Sequence, residues 1–364
     1  MIFSPGRRGG NEVSMNVTWL TARYFGKDLC ATTQIELSLG LVRCGVNLTV
    51  YSPGKFPASE VQHISIPRSK IKGRQSASIV KNLKPYLKKI NQSDCVLLDW
   101  KLSSLIPKIT TKLILIDRGP PADRGFLSML QMRVWKRGWK SVKHGCVVSE
   151  QHKKFVESSI PNKSRTIAVL PAGVNTQLFQ KATRKGPIRL VYQGRIDSHR
   201  GIGRIIQLFE SLNHKSPDGF ELYFHGKGNM VDEIEEMNLN NVKVTRHLEQ
   251  ADLANRLTNY DIGLLPMPKS KIWTLASPLK RSEYLGSGLL ILGIRHEGHQ
   301  IEGRDSDNYC KLYPENEFLP RAKEWLESLR REDVDLLQEK ARSYAVKHLD
   351  WNHSIERLLE IMSS

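Results

Sequence analysis

The chain has 364 residues, 40% of them hydrophobic, and a formal net charge of +18. That length holds two ordinary domains with a core each, and no stretch approaches the roughly eighteen uninterrupted apolar residues that span a bilayer. The charge is one-sided: residues 1–180 carry 28 Lys and Arg against 10 Asp and Glu, whereas residues 181–364 carry 27 of each. Cys30, Cys44, Cys95, Cys146 and Cys310 show no metal-ligand spacing, and without a secretory leader they read as reduced cytoplasmic thiols.

Residues 1–14 are rich in Gly and Arg and read as a disordered tail ahead of Met15, a possible alternative start. Apolar runs at 17–20, 48–51, 95–98, 113–116 and 145–148 then read as strands alternating with amphipathic helices. Gly26, after the first strand, either lets the backbone touch a phosphate or is a turn glycine. Asp117, ending the 113–116 strand, is a carboxylate able to orient or deprotonate a hydroxyl, or one held in a loop ion pair by Arg118 or Arg124. Basic residues gather at 68–74, at 81–89 and in Arg133, Lys136, Arg137, Lys140 and Lys143, the last group interleaved with Trp135 and Trp139. That mixture suits a membrane surface, with rings at the headgroups and cations on anionic lipid, or an anionic acceptor. A solvated basic face and nucleic acid are the rival readings, the latter without a helix-turn-helix, zinc or RNA-recognition motif.

A linker rich in Gly, Pro and Lys covers 173–187, and the second half resumes the alternation with strands at 189–192, 222–224, 242–244, 262–265 and 289–292. Strand–helix alternation of this kind specifies α/β parallel sheets. The strand at 189–192 runs into Gly194, Arg195, Arg200 and Gly201, then a helix with Ile202, Ile205, Ile206, Phe209 and Leu212 on one face. Gly194 permits close approach at the C-terminal strand end, the usual ligand edge, where Arg195 and Arg200 can clamp a diphosphate. Gly226, Lys227 and Gly228 repeat the strand-then-glycine pattern without a full dinucleotide fingerprint. At 277–288, Ser277 suits an N-cap and Pro278 the first helical position, leaving the N–H groups of Leu279 and Lys280 at an anion-binding helix tip. Glu283, one turn on, suits two ribose hydroxyls, so the segment describes a nucleotide diphosphate; an ordinary surface unit with a solvated Lys and Glu is the alternative. Base contacts fall around Arg246, His247, Leu248 and Glu249. The Asp305–Asp307 and Asp333–Asp335 pairs lie in a polar loop and a charged helix, so neither a metal nor another cofactor is expected.

These segments together resemble the GT-B glycosyltransferases of family 4 (glycosyl transferases group 1). The likeness rests on Gly194-Arg195 with Arg200-Gly201, on Pro278-Leu279-Lys280 followed by Glu283-Tyr284, on Pro171-Ala172-Gly173-Val174-Asn175-Thr176 with Phe179, and on the stretch 31–50. The resemblance implies two Rossmann-like domains facing a cleft, an acceptor-side domain at 15–172 and a nucleotide-sugar domain at 188–344. It also implies a crossover helix in 345–364 that returns to the first domain with Trp351 at the crossing. It further implies transfer of a hexose from a nucleotide diphosphate sugar to a glycan or lipid-linked acceptor, with retention and without metal, in the cytoplasm or on the inner membrane face. Arg195 and Lys280 would then stabilise the departing diphosphate, while Gly26, Gly194, Arg200, Gly226, Ser277, Leu279 and Glu283 line the donor site. Two positions depart from the family: Leu275 stands where a second acidic residue contacts the donor sugar, and Asp117 where a His is common. Nucleotide-sugar epimerisation and a non-catalytic nucleotide-sugar-binding subunit are therefore the alternatives.

Overall fold

All ten apolar runs become strands in the computed structural model, which describes residues 15–25, 28, 31–71, 73–121, 125–162, 164–246, 248–303 and 306–364, except the side chains of 125–127. The first domain holds β1 (Asn16–Leu20), β2 (Asn47–Ser52), β3 (Gln62–Ser65), β4 (Cys95–Asp99), β5 (Lys112–Ile116), β6 (His144–Val147) and β7 (Thr166–Val169). They form one parallel sheet in the order β3-β2-β1-β4-β5-β6-β7. The second holds β8 (Ile188–Arg195), β9 (Phe220–Lys227), β10 (Val242–Thr245), β11 (Ile262–Leu265), β12 (Leu290–Ile294) and β13 (Cys310–Tyr313), ordered β10-β9-β8-β11-β12-β13 and again parallel. Strand order reverses between β1 and β4 and between β8 and β11, and a doubly wound sheet opens its ligand crevice at that point.

Three strands, β3, β7 and β13, were not expected. Each has four residues and lies at the edge of its sheet. An edge strand buries less of itself than a central one, so it needs no continuous apolar run.

The last helix, Trp351–Ser363, does cross back: Trp351, Ile355, Leu358, Ile361 and Met362 pack with Val17, Leu37, Leu41, Leu97 and Ile114 of the first domain. Each such side chain gains about 1.5–3 kcal/mol on leaving water, enough to hold the helix on a domain that is not its own. Gly173 is required beneath it, because a Cβ there would meet the Trp351 ring and the Leu349 carbonyl. The outgoing and returning chains meet where the Val174 N–H donates to the Leu349 carbonyl at 2.8 Å. Arg342, on the helix Arg331–His348, donates to the carbonyls of Thr176, Phe179 and Gly286 and so fastens the linker to the second domain. Buried Asp261 plays a similar part below β8, accepting from both terminal nitrogens of Arg331 and from the Arg189 N–H.

Candidate functional site

The parallel register of β8 and β9 sets Gly194 beside Gly226 and Arg195 beside Lys227 at the C-terminal sheet edge. Gly194 has φ +115° and Gly226 φ +149°, and a Cβ on Gly226 would strike the Gly194 carbonyl. Only glycine lets the two strand ends lie this close, and the space left beside Gly194 is bounded by the Lys280 amine.

Lys280 enters from the helix Leu279–Gly286, its Nζ 4.2 Å from the Tyr192 ring centroid and 3.8 Å from Met267 Sδ. Part of the residue remains open to solvent, but the amine is enclosed, and that enclosure governs its proton affinity. Burial, with the Arg200 charge, lowers its pKa to about 7 against a smaller opposing pull from Glu283. One turn on, Glu283 is buried and accepts from Gln193 Nε2 at 2.5 Å; burial raises its pKa to about 7 despite Gln193 and Lys280. Gln193 is the residue just before Gly194, so β8 supplies both the glycine opening and the group that aims the carboxylate. The site thus holds one amine and one carboxylate that both change charge near neutrality.

The helix start differs in one detail from the sequence reading. Pro278, not Ser277, is the N-cap, and no side chain caps the first turn. Ser277 Oγ instead accepts the Ala172 N–H at 2.9 Å, and Ser282 Oγ donates to the Ala172 carbonyl at 2.7 Å. Leu279 packs against the first-domain core, so the tip of the helix is set by the crossing chain.

Arg195 and Arg200 do flank one point, occupied by the Asp197 carboxylate at 3.0 and 3.7 Å. Arg195 keeps about half its side chain in solvent, 49%, whereas Arg200 is mostly enclosed and lies 4.8 Å over the Trp273 ring. Asp197 also accepts the Asn229 N–H and is held below the ordinary carboxylate range by its partners, burial opposing them. Sequence reasoning missed Asp197, Gln193, Tyr192 and Trp273; a carboxylate spaced between two arginines was the signal available for the first.

Asp117 is not in an ion pair with Arg118, whose Nη1 donates to the Leu170 carbonyl at 3.1 Å; Arg124 lies outside the described residues. The carboxylate is fully buried, and His152 and two tryptophans hold its pKa below the usual range although burial pushes the other way. Those tryptophans are Trp135 and Trp139, both with no exposed surface and both donating to Asp117. They cannot serve as headgroup anchors. The exposed face of the helix Gly125–Lys140 carries Met129, Leu130 and Val134 among Arg133, Lys136, Arg137 and Lys140.

Gly26, His247 and Asp305 lie outside the described residues. Of the proposed base contacts, Arg246 pairs with Asp232 and Glu235 and points toward its own neighbouring helix. Among the described residues no group of three or more His, Cys, Asp or Glu is placed to hold a metal.

No family model matches the chain, and no curated protein sequence matches it. Solved structures do. A sucrose-phosphate synthase from Thermosynechococcus elongatus superposes with a TM-score of 0.76 at 13% identity, covering 96% of this chain and 98% of that one. WaaG, a glycosyltransferase of lipopolysaccharide biosynthesis, gives 0.71 at 15% identity over 96% and 100%, and Anabaena HepE, solved with UDP and glucose, gives 0.72 at 10% over 96% and 99%. The fold is therefore GT-B, two Rossmann-like domains with a returning C-terminal helix, as the resemblance implied.

Proposed function

We propose that the protein is a glycosyltransferase that moves a hexose from a nucleotide diphosphate sugar to a glycan or lipid-linked acceptor, with retention and without a metal. The observation that carries the reading is the enclosed pair Lys280 and Glu283 beside Gly194: an amine at a helix tip for phosphate and a carboxylate one turn along for ribose. Arg195 and Arg200, at the same sheet edge, add guanidiniums that can turn from Asp197 to a diphosphate. Charge that builds on the leaving diphosphate then meets cations supplied by the chain itself at this sheet edge, which lowers the barrier. The fold shared with HepE, a protein solved with UDP and glucose, supports a sugar-nucleotide donor. Retention comes from the family resemblance.

The acceptor side favours an anionic membrane face of the cytoplasm. Met129, Leu130 and Val134 are 48%, 39% and 42% exposed on the helix that also exposes four cations. No helix among the described residues is long and apolar enough to cross a membrane, so the contact is with the surface. A melting-temperature panel of sugar nucleotides identifies the donor, since only a bound ligand stabilises the native state. The same donor with membrane lipid extracts then has to give a glycosylated product and released nucleotide; epimerised or free sugar without acceptor would favour the epimerase, and binding without turnover a non-catalytic subunit. Co-sedimentation with anionic but not neutral vesicles, abolished by Glu at Arg133, Lys136 and Arg137, tests the membrane contact at about 1 kcal/mol per cation.

A further inference from the structure

Asp117 directly follows the C-terminal end of β5, in the interior of the first sheet, yet its carboxylate is fully buried among donors of the chain itself. Oδ2 accepts from Trp135 Nε1 at 2.5 Å and Trp139 Nε1 at 2.9 Å and lies 3.2 Å from His152 Nε2, while Oδ1 accepts the Gly119 N–H at 3.0 Å. Trp100 Nε1 donates to the Gly119 carbonyl at 3.1 Å, so three indoles grip the turn 117–119. A general base needs a lone pair within reach of the substrate proton, and here the donors of the protein itself take that place.

The connections continue past the carboxylate. The His152 N–H donates to Ser149 Oγ at 3.1 Å, and Ser149 Oγ donates to the Leu275 carbonyl at 2.8 Å, across to the second domain. Arg118 holds the Leu170 carbonyl, two residues before Ala172, whose N–H binds Ser277. Two routes thus join the 117–119 turn to Leu275 and Ser277, the residues that lead into the Lys280 helix: one starts with the Asp117–His152 contact and continues from the His152 backbone N–H through Ser149, the other is the Arg118 bond to Leu170 followed by the Ala172–Ser277 bond.

We propose that Asp117 is a positioning residue: it fastens the acceptor-side turn to the loop that leads into the Lys280 helix and thereby closes the acceptor side of the cleft to water. This rests on the proposed transfer for its catalytic readout, because only an activated sugar makes trapped water harmful. The role explains why a carboxylate can replace the histidine common at this position without acting as one.

The test uses Asp117→Asn and Trp139→Phe in the full chain, the second removing a single N–H while keeping an aromatic ring. Far-UV circular dichroism and a single cooperative melting transition, the same in both variants as in the wild type, certify the fold. UDP-glucose hydrolysis without acceptor rises about tenfold in both as the closure loosens. Amide hydrogen exchange accelerates both at 118–121 and at 275–279, the remote end of the connection. A base predicts the opposite sign: Asp117→Asn loses hydrolysis and Trp139→Phe matches the wild type. That result overturns the proposal, as does unchanged exchange at 275–279 in both variants. A wild type whose melting temperature no sugar nucleotide of the panel raises counts against the donor reading instead, and the exchange measurement then decides on Asp117 by itself.

Discussion

Nucleotide binding should take up a proton, and the size of the effect follows from the two groups that titrate in the site. Lys280 has a pKa of about 7 in the empty site because its amine is enclosed beside Arg200. A diphosphate against that amine favours the charged form, so the bound state keeps the proton through the whole alkaline range. Raising the pH from 7 to 9 lowers the protonated fraction of the free protein from about one half to about one hundredth, an affinity loss of about fiftyfold. Glu283 works in the other direction. Its pKa of about 7 means that it goes from half to fully ionised over the same span, which returns at most about twofold through a better acceptor for ribose hydroxyls. The phosphates do not interfere, since their last ionisation, near pH 6, is complete by then. A nucleoside diphosphate such as UDP should therefore bind about 25-fold more weakly at pH 9 than at pH 7, a difference of about 2 kcal/mol. Calorimetry at pH 8 in buffers of different ionisation enthalpy should show close to one proton taken up per UDP, and none with Lys280→Met. Flat affinity between pH 7 and 9 with no buffer dependence would refute the reasoning, because it would mean that the amine is already charged in the empty site.

Three further outcomes follow from the geometry. Glu283→Gln should weaken UDP binding by about 1.5–3 kcal/mol, the range for hydrogen bonds to a charged group, while chemical denaturation shows a fold at least as stable as before; equal affinity would remove Glu283 from the ribose. Arg195→Ala should lower turnover about a hundredfold by withdrawing a cation from the developing charge, and EDTA should leave turnover alone; activity lost to EDTA and restored by Mn²⁺ would return attention to Asp305 and Asp307. Asp261→Ala should cost about 3–5 kcal/mol in urea unfolding, since it removes the buried counter-charge of Arg331, which keeps only the Gly186 and Pro187 carbonyls, and the acceptor of the Arg189 N–H; a change near zero would mean that those carbonyls and solvent already satisfy that arginine.

The central strands were legible because a parallel sheet covered on both faces demands apolar runs, and β8, β11 and β12 are buried along most of their length. The site was legible wherever backbone geometry required a residue type. Gly194, Gly226 and Pro278 lie where a sheet edge or helix start calls for them, and Lys280 and Glu283 follow by helical spacing. What could not be read were the partners brought from far along the chain: Ser277 meets Ala172, and Glu283 meets Gln193 ninety positions away. The tryptophans were misplaced for a different reason. Trp135 and Trp139 are four residues apart and so share one helix face, which the surrounding cations do not; reading composition before periodicity put them in lipid when they belong against Asp117.

The paired crossing at Val174 and Leu349 also governs what motion the molecule can make. Two strands of chain pass between the domains side by side, and Arg342 pins the outgoing one to the second domain from Thr176 onward. Torsional freedom is left only in the few residues on either side of that meeting point. Two adjacent tethers permit rotation about the line that joins them and resist sliding or twisting. A hinge motion between the domains would then be a swing about that line, and because Ala172 is bonded to Ser277 and Ser282 at the pivot, the tip of the Lys280 helix lies close to its axis.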